Sequence, residues 1–525
     1  MTDESQAPAI SFVESLPAGT GPAETIETHI SRIFLVGDRV YKMKRAVKLP
    51  YADFSTPELR LEACVKEVEL NSKTAPGLYL GVRRLTKEQD GEIAFDGPGD
   101  LVDAVVEMRR FEQDALFDKI ALAGRLTPKL ATEVAEMIVV FHHAAPVVHA
   151  TGGAANIAGV LDINEAGFGT SHVFDAEEIS DFNRFFRVAL NEHAALLDRR
   201  ETDGKVRRCH GDLHLRNICL LDGKPRLFDC IEFNDQIATI DTLYDLAFLL
   251  MDLWHRGLED IANLVANRYF DLSDEEDGFV LLPFFMALRA AVRAHVTATQ
   301  AEGGDPAGKL STEARSYFDL ARRLLLKTPP GLMVIGGLSG TGKTTVAEAL
   351  ASRIGTPPGA RIVESDRIRK AMHGVSTETR LPDSAYRPEI SDKVYDEMAR
   401  RAGAILRRGG SVVADAVFDK PGKRDLLEAA ALHVGARFTG IWLTAEPTLL
   451  RQRVGARRGG PSDATLEILQ RQLDSDLGEI TWHQVDARET PGEIVDRIRS
   501  LATGRDGAPR HRRVSMAMDT PASSG

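Results

Sequence analysis

The sequence predicts a multidomain protein in which an α+β domain is followed by an α/β domain. Three observations support this prediction. The chain has 525 residues, more than one hydrophobic core usually organises. Short strand patterns precede long helical periods in its first part, whereas strands and helices alternate after residue 331. Between the two parts, Lys327–Gly331 contains two adjacent prolines, which end a helix and indicate a linker.

The expected boundaries follow from these patterns. We place the first domain at 25–326 and the second at 332–503, joined by the linker 327–331. Residues 1–24 are rich in small residues and proline, and we expect them to be flexible. Residues 504–525 carry arginines among Gly, Pro and Ser, and we expect a disordered tail.

Composition limits the classes of function. The net charge of −12 argues against duplex binding, which usually needs a basic surface, but it does not exclude binding of a nucleotide or a short strand end. The longest apolar run, 279–288, contains a proline and is too short to span a bilayer. The first residues contain no apolar h-region, so we expect no signal peptide. The four cysteines form no C-x-x-C pair and fit a reducing cytoplasm. We therefore expect a cytoplasmic protein with no membrane contact; the sequence leaves its oligomeric state open.

The stretch 209–232 carries the chemistry of the first domain. Asp212 and Asn217 lie five residues apart, and the dipeptide Asp222-Gly223 favours a tight hairpin between two apolar runs. That hairpin would bring Asp229 back beside Asn217. An amide and a carboxylate would then be placed to hold Mg²⁺ on ATP, and Asp212 would be left to take a proton from an acceptor hydroxyl.

The segment His210-Gly-Asp-Leu-His-Leu-Arg-Asn217 resembles the catalytic loop of the aminoglycoside phosphotransferase family, relatives of protein kinases. The resemblance implies a bilobal kinase-like fold over roughly residues 25–325. It implies that Asp212 is the catalytic base, that Asn217 and Asp229 are metal ligands, and that His210 braces the loop. Asp229 is followed by Cys-Ile-Glu instead of Phe-Gly, a departure from the kinase pattern. Asp241 and Asp245 match acidic positions of this family and are expected to brace the loop.

A kinase-like upper lobe also needs a lysine on its third strand and an acid on the next helix. Residues 30–44 predict a hairpin in which Lys42 and Lys44 share one face, and Lys42 is our first choice. Thr56-Pro57 predicts the start of a helix that carries Glu67 and Glu69, of which Glu67 is the preferred partner. A glycine-rich phosphate loop is missing. Either residues 27–32 cover the phosphates without glycines, or the strand assignment is shifted.

The second domain opens with the most specific motif in the chain. After a buried strand pattern at 331–336 comes the sequence G-x-x-x-x-G-K-T, followed by a helical run to Ile354. Glycines let this loop curl so that its N–H groups face a phosphate, and the helix N-terminus adds positive potential. We assign the nucleotide to the loop residues Gly337, Leu338, Ser339, Gly340, Thr341, Gly342, Lys343, Thr344 and Thr345, with the Thr344 hydroxyl on Mg²⁺.

Further polar residues fall at the predicted carboxyl ends of strands, where open α/β sheets bind ligands. Asp366 is a candidate general base or acceptor-binding group, and Asp415 a candidate outer-sphere partner of Mg²⁺; either could instead cap a helix. Arginines at 451, 453, 457 and 458 lead into a glycine-containing segment, which suggests a lid over the phosphates. We list Arg451, Arg453 and Arg457 as candidate catalytic residues, although such a run is often a solvated helix face.

This half is similar to small P-loop kinases of the gluconate kinase, zeta toxin and polynucleotide kinase kind. The likeness rests on 337–344, the segment Ser365-Asp-Arg-Ile-Arg369 and the arginines. We therefore expect two ATP- and Mg²⁺-binding kinase domains, each phosphorylating a hydroxyl of an unidentified small molecule. Two alternatives remain open: the second half could phosphorylate a nucleic-acid end or a nucleotide sugar, or one half could be a regulatory ATP-binding module.

Overall fold

A computed structural model describes residues 6–17, 24–49, 52–149, 152–273, 275–456 and 462–502. They divide into two compact units. The first unit contains the residues up to Pro330 together with Ala351–Arg361 and Ala404–Ser411. The second contains Gly331–Leu350, Ile362–Gly403 and the residues from Val412 onward.

Before Gly331 the strands are β1 (Glu24–Glu27), β2 (Ser31–Val36), β3 (Arg39–Lys44), β4 (Lys48–Leu49), β5 (Ala52–Asp53), β6 (Tyr79–Lys87), β7 (Ile93–Phe95), β8 (Asp100–Arg109), β9 (Val206–Arg208), β10 (Ile218–Leu221), β11 (Lys224–Leu227) and β12 (Thr239–Asp241). The helices are α1 (Ala7–Glu14), α2 (Pro57–Thr74), α3 (Phe117–Leu122), α4 (Pro128–Ala144), α5 (Gly153–Gly169), α6 (Ala176–Thr202), α7 (Asp235–Ala238), α8 (Thr242–His255), α9 (Glu259–Leu272), α10 (Leu282–Glu302) and α11 (Lys309–Leu324). Short 3-10 helices lie at Gln113–Ala115, Leu215–Asn217 and Glu276–Leu281.

From Gly331 the strands are β13 (Gly331–Gly337), β14 (Arg361–Glu364), β15 (Val412–Asp415), β16 (Arg437–Thr444) and β17 (His483–Asp486). The helices are α12 (Lys343–Ala351), α13 (Ser365–Met372), α14 (Pro388–Arg407), α15 (Pro421–Leu432), α16 (Pro447–Ala456), α17 (Leu466–Asp474) and α18 (Pro491–Ala502), with a 3-10 turn at Asp383–Tyr386.

The upper part of the first unit is a six-stranded sheet in the order β1-β2-β3-β8-β6-β7, and its neighbouring strands pair antiparallel. The predicted hairpin is confirmed, since β2 pairs with β3 and places Ile33 opposite Lys42. The predicted helix start is also confirmed, because the Thr56 hydroxyl accepts the Leu59 N–H at 3.4 Å. Helix α2 packs on this sheet through a core that includes Cys64 and Val106.

The N-terminal expectation was wrong for residues 6–14. Helix α1 buries Ala9 and Val13, which are spaced i,i+4 and pack against the sheet with Phe34 and Val105. Gln6 is 2% exposed, and its amide donates to Asp103 at 2.7 Å and to the Lys44 carbonyl at 2.9 Å. Burial of these apolar side chains and the hydrogen bonds of the Gln6 amide stabilise an ordered helix, although the composition suggested a flexible segment. Residues 1–5, 18–23 and 503–525 lie outside the described residues.

The lower part of the first unit is mainly helical. Strands β10 and β11 form the predicted hairpin, with Asp222 and Gly223 both at positive φ, 52° and 75°. Helix α8 lies in the core and is nearly fully buried. Among the described residues, one helical stretch, Glu276–Glu302, is long and apolar enough to span a membrane. In its most apolar 18-residue segment, 67% is buried inside the protein, as in a core helix.

One partly buried histidine of α10 makes a pH dependence testable. The His295 ring packs edge-on against Phe168 at 5.7 Å, and burial lowers the pKa of His295 to about 4. Between pH 6.5 and 4, the histidine is therefore protonated in the unfolded chain but neutral in the folded chain. As the pH is lowered through this range, the free energy of unfolding decreases, by about 2 kcal/mol at pH 5. We expect His295→Leu to lose less thermal stability than the wild type between pH 7.5 and pH 5. The exposed His143→Leu is the control; equal losses in all three proteins would contradict the assignment.

The second unit is a five-stranded sheet in the order β14-β15-β13-β16-β17. Strand β13 pairs parallel with both β15 and β16, and β16 pairs parallel with β17. This confirms the α/β class. The order places β13 at the centre and brings the carboxyl ends of β13, β14 and β15 to one edge.

Candidate active sites

A loop at residues 209–217, the Asp212 loop, presents the proposed base of the first unit. The amide nitrogen of Asn217 donates to the Asp212 carbonyl and to Asp212 Oδ2, both at 2.9 Å. Because this nitrogen is committed to Asp212, Asn217 Oδ1 is the side-chain atom that can ligate a cation. The two residues that sequence spacing paired are therefore joined directly.

Asp212 is 39% exposed, and His214 Nε2 lies 3.4 Å from its Oδ2. Burial raises its pKa, but the charges of His214, His210 and Arg293 outweigh burial, so the pKa of Asp212 lies below its usual range. The carboxylate form, which can accept a proton, is thereby favoured. His214 Nδ1 accepts the Arg216 N–H at 3.2 Å, which places the proton of a neutral ring on Nε2, toward Asp212. His214 was not among the site residues predicted from the sequence.

Asp245 on α8 is hydrogen-bonded to the backbone of the Asp212 loop. It accepts the His210 N–H at 3.1 Å and the Gly211 N–H at 2.9 Å. His210 Nε2 lies 2.9 Å from the Phe228 carbonyl and so ties the loop to the hairpin. His142, in the last turn of α4, bonds Asp245 at 3.2 Å and the Tyr269 hydroxyl at 2.9 Å. The geometry matches the bracing expected of His210 and Asp245 and adds His142.

Asp241 has a different task from the loop bracing we expected. Its carboxylate accepts the Leu243 N–H at 2.8 Å as the N-cap of α8. It also forms a bidentate pair with the buried Arg200, at 2.7 and 2.8 Å. Asp241 therefore anchors α8 to α6 instead of touching the Asp212 loop.

Lysines and carboxylates from distant segments meet beside Asp229. Lys42 bonds Glu67 at 2.8 Å and also contacts Asp229. Lys44 lies 2.6 Å from the same Glu67 and contacts Glu232. Burial raises the pKa of Glu67, but the two lysines outweigh it and lower that pKa to about 2. The strand face with two lysines and the Glu67 partner are thus both observed; Lys42 contacts Asp229, whereas Lys44 contacts Glu232.

The turn between β1 and β2 lies where a kinase-like lobe would carry a glycine-rich loop. Thr28–Ile30 joins the two strands without a glycine, and the strand assignment is not shifted. His29 in this turn interacts electrostatically with Asp212; burial nevertheless keeps the pKa of His29 below its usual value. The alternative of a shifted strand assignment is therefore wrong, and coverage of the phosphates by residues 27–32 stays a prediction.

The loop after β13 wraps as the motif predicts. Gly340 has φ of 88°, and a Cβ there would lie 2.9 Å from the Leu450 carbonyl, so a side chain would strain the loop. Lys343 begins α12, and its ammonium donates to the Leu338 carbonyl at 3.2 Å. The Thr344 hydroxyl donates to Asp415 Oδ2 at 2.6 Å. The hydroxyl and carboxylate predicted to serve one cation are therefore in contact.

Asp415 and Asp366 lie at the edge where β14 and β15 end. Burial raises the pKa of Asp415 to about 6, against the opposing effects of Lys343 and Thr344. Burial also raises the pKa of Asp366, against the charges of Arg369 and Lys343. Asp366 is in the first turn of α13 and is close enough to Lys343 to interact electrostatically. Glu364, which the sequence analysis passed over, approaches the Thr344 hydroxyl at 3.5 Å.

The predicted lid is only partly described. Arg451 and Arg453 lie on α16, where Arg451 is exposed and donates to Gln470 at 3.0 Å. Arg457 and Arg458 lie outside the described residues. The lid stays a prediction. Just beyond it, Asp463 accepts from the Leu381 N–H at 2.9 Å and the Tyr386 hydroxyl at 2.7 Å.

These folds and sites define a protein that joins two kinase-type domains. Residues 119–278 match the model of the phosphotransferase enzyme family, and residues 332–475 match that of an AAA domain. A gluconokinase from Sinorhizobium meliloti 1021 is 27% identical, covers 33% of this chain and 93% of its own, and has a TM-score of 0.24. A choline/ethanolamine kinase family protein from Mesorhizobium loti is 16% identical, covers 61% and 95%, and has a TM-score of 0.39.

Full-length relatives place the chain more closely. Uncharacterized proteins of Mycobacterium tuberculosis and Mycobacterium bovis are 30% identical over 478 residues, which is 88% of this chain and 91% of theirs. The alignment therefore covers both units. The chain belongs to the family of these mycobacterial proteins, with a phosphotransferase domain followed by a P-loop kinase domain.

Proposed function

We propose that the chain is an ATP- and Mg²⁺-dependent phosphotransferase with two nucleotide sites, each transferring the γ-phosphoryl group to a hydroxyl of a small molecule. The observation that carries this proposal is that the Phe228 N–H donates to the Asn217 carbonyl at 3.1 Å, so that Asp229, with Lys42 against it, follows directly on a residue bonded to the Asn217–Asp212 pair. The Lys343 loop and the Thr344–Asp415 contact support it for the second.

The residues fit a divalent cation in both units. Carboxylate, amide and hydroxyl oxygens are the ligands that Mg²⁺ prefers in proteins. Asn217 and Asp229 would hold it in the first unit, and Thr344 with Asp415 as outer partner in the second. When bound, Mg²⁺ would neutralise charge on the transferring phosphate.

In the first unit Asp212 would take the proton of the acceptor hydroxyl while the oxygen of that hydroxyl forms a bond to the γ-phosphorus. The bond between that phosphorus and the β–γ bridging oxygen breaks, and ADP leaves. Lys42, oriented by Glu67, would hold the α- and β-phosphates. In the second unit Lys343 would reach the β- and γ-phosphates, and Asp366 would receive the acceptor.

The test is acceptor-dependent ADP release by the full chain, with a library of hydroxylated metabolites and sugars. Single-site variants, Asp212→Asn and Lys343→Met, assign each activity to a unit. Oligonucleotides with free 5′ ends form one arm of the library. Transfer only to that arm would favour the nucleic-acid alternative, and ATP binding without any transfer would favour a regulatory module.

The two lysines of β3 should give different defects. Lys42→Met is expected to lower the kcat/KM for ATP in the first unit by about 100-fold and to cost less stability than Lys44→Met, because one of the two carboxylates that Lys42 contacts, Asp229, is 39% exposed. Lys44→Met leaves two buried carboxylates, Glu67 and Glu232, with one lysine fewer, and should cost about 3–5 kcal/mol of stability. Steady-state kinetics and thermal unfolding distinguish the two. The reverse pattern would identify Lys44 as the nucleotide lysine.

A further inference from the structure

A cavity of about 280 Å³ opens beside the Asp212 loop. His214, which contacts Asp212, lies in its wall together with Phe248, Arg293 and Tyr317. The site described above uses His214 only through Asp212, so the cavity belongs to no function assigned so far. Its position next to the proposed base, and its size, suit a small acceptor molecule.

Two stacked rings, His255 and Tyr317, and the hydrogen-bonded carboxylate of Asp252 shape the cavity. The His255 ring stacks on Tyr317, with centroids 3.9 Å apart and planes at 17°, and bonds Ser316 at 2.9 Å. Asp252 accepts the Leu215 N–H at 3.0 Å and the Arg256 guanidinium at 2.8 Å. Both Asp252 oxygens therefore already accept hydrogen bonds from the protein, and the Arg256 charge offsets that of Asp252.

The charges that remain favour an anion. The lining carries three arginines, at 216, 256 and 293, against two carboxylates, Asp252 and Glu313. Arg256 is paired with Asp252, and Arg216 lies 3.7 Å from Asp118. Arg293 forms no ion pair with a carboxylate within the part of the chain that the structure describes. Its guanidinium lies 5.5 Å from the centre of the Tyr317 ring.

Arg293 is also electrostatically linked to the proposed base. Its charge helps to hold the pKa of Asp212 below the usual range, and it lowers the pKa of His255 as well, after the larger effect of burial there. Glu313 acts on His255 in the opposite sense. A ligand held at Arg293 would thus reach toward Asp212, with Glu313 able to accept a hydroxyl hydrogen bond.

We propose that this cavity is the acceptor site of the first unit and that its acceptor is a hydroxylated small molecule bearing a carboxylate or phosphate, bound by Arg293. The inference rests on the proposed phosphotransferase function. A planar guanidinium recognises either acidic group through paired N–H donors. The positive charges of the arginines would repel a polyamine, so this acceptor differs from the aminoglycosides after which the resembled family is named.

The test uses the full chain carrying Lys343→Met, so that the second unit does not contribute. Acceptors are compared in matched sets that share a skeleton: a neutral sugar, its sugar acid, its phosphate ester and its amino sugar. We expect the acidic members of the best set to have at least tenfold higher kcat/KM than the neutral and amino members. The carboxylate and phosphate arms identify which acid is used.

Arg293→Gln should lower kcat/KM for the acidic acceptor by about 10- to 100-fold and leave nucleotide affinity unchanged. Arg293→Glu should shift preference toward the amino sugar. Arg323→Gln, an exposed arginine of α11, is the matched control. Preference for neutral or amino acceptors, or an unchanged kcat/KM in Arg293→Gln, would overturn the anionic acceptor while the phosphotransferase function stands. Absence of transfer to every member, with nucleotide still bound in titration calorimetry, would overturn both.

Discussion

Replacing Asp212 by asparagine is expected to lower acceptor phosphorylation by the first unit about 1000-fold and to leave its affinity for ATP nearly unchanged. A positioned general base contributes roughly 100- to 10,000-fold to a rate. Asparagine has the same shape, and the Asp212 carbonyl, which also receives the Asn217 amide at 2.9 Å, is retained. The loss should therefore fall on kcat. The measurement is acceptor-dependent ADP release in the Lys343→Met background, with nucleotide affinity from calorimetry.

Asp222→Asn is the matched control for this substitution. Asp222 sits in the hairpin turn at φ of 52°, where asparagine is tolerated, and its side chain is 74% exposed. It should behave like the parent protein. If Asp212→Asn kept its turnover, or lost ATP binding to the same degree as turnover, the carboxylate would not be the base.

Replacing Lys343 by methionine is expected to weaken nucleotide binding to the second unit about 100-fold. Lys343 starts α12 and lies against the Leu338 carbonyl within the phosphate loop, so its charge is fixed where the β- and γ-phosphates would sit. Loss of a charge-assisted contact to phosphate should weaken binding about 100-fold. Titration with a fluorescent ATP analogue should then report one nucleotide per chain in place of two.

Lys393→Met, an exposed lysine on α14, should keep both sites. The double variant Asp212→Asn, Lys343→Met should show no acceptor phosphorylation. A wild-type stoichiometry of one, or a residual activity in the double variant equal to that of either single variant, would contradict the two-site proposal.

The sequence by itself determined the parts of the sites that are local. Residues 337–344 form one loop whose predicted role depends on its own backbone, and a tight turn at Asp222-Gly223 returns the chain to the Asp212 loop just before Asp229. Turn chemistry, glycine conformations and strand period act over such distances, so short motifs predicted both the folds and these residues.

Tertiary structure alone decided the rest, because those contacts join residues far apart in the chain. Lys42 and Asp229 are 187 residues apart, and His142 and Asp245 are 103 residues apart. No local pattern distinguishes Lys42 from Lys44, or shows that Asp241 would pair with Arg200. Burial of Ala9 and Val13 holds α1 against the sheet, where composition suggested a flexible end. Packing of α8, α10 and α11 places Arg293 in the cavity beside Asp212. Burial and charge pairing depend on which distant side chains the fold brings together, and only the folded chain specifies that.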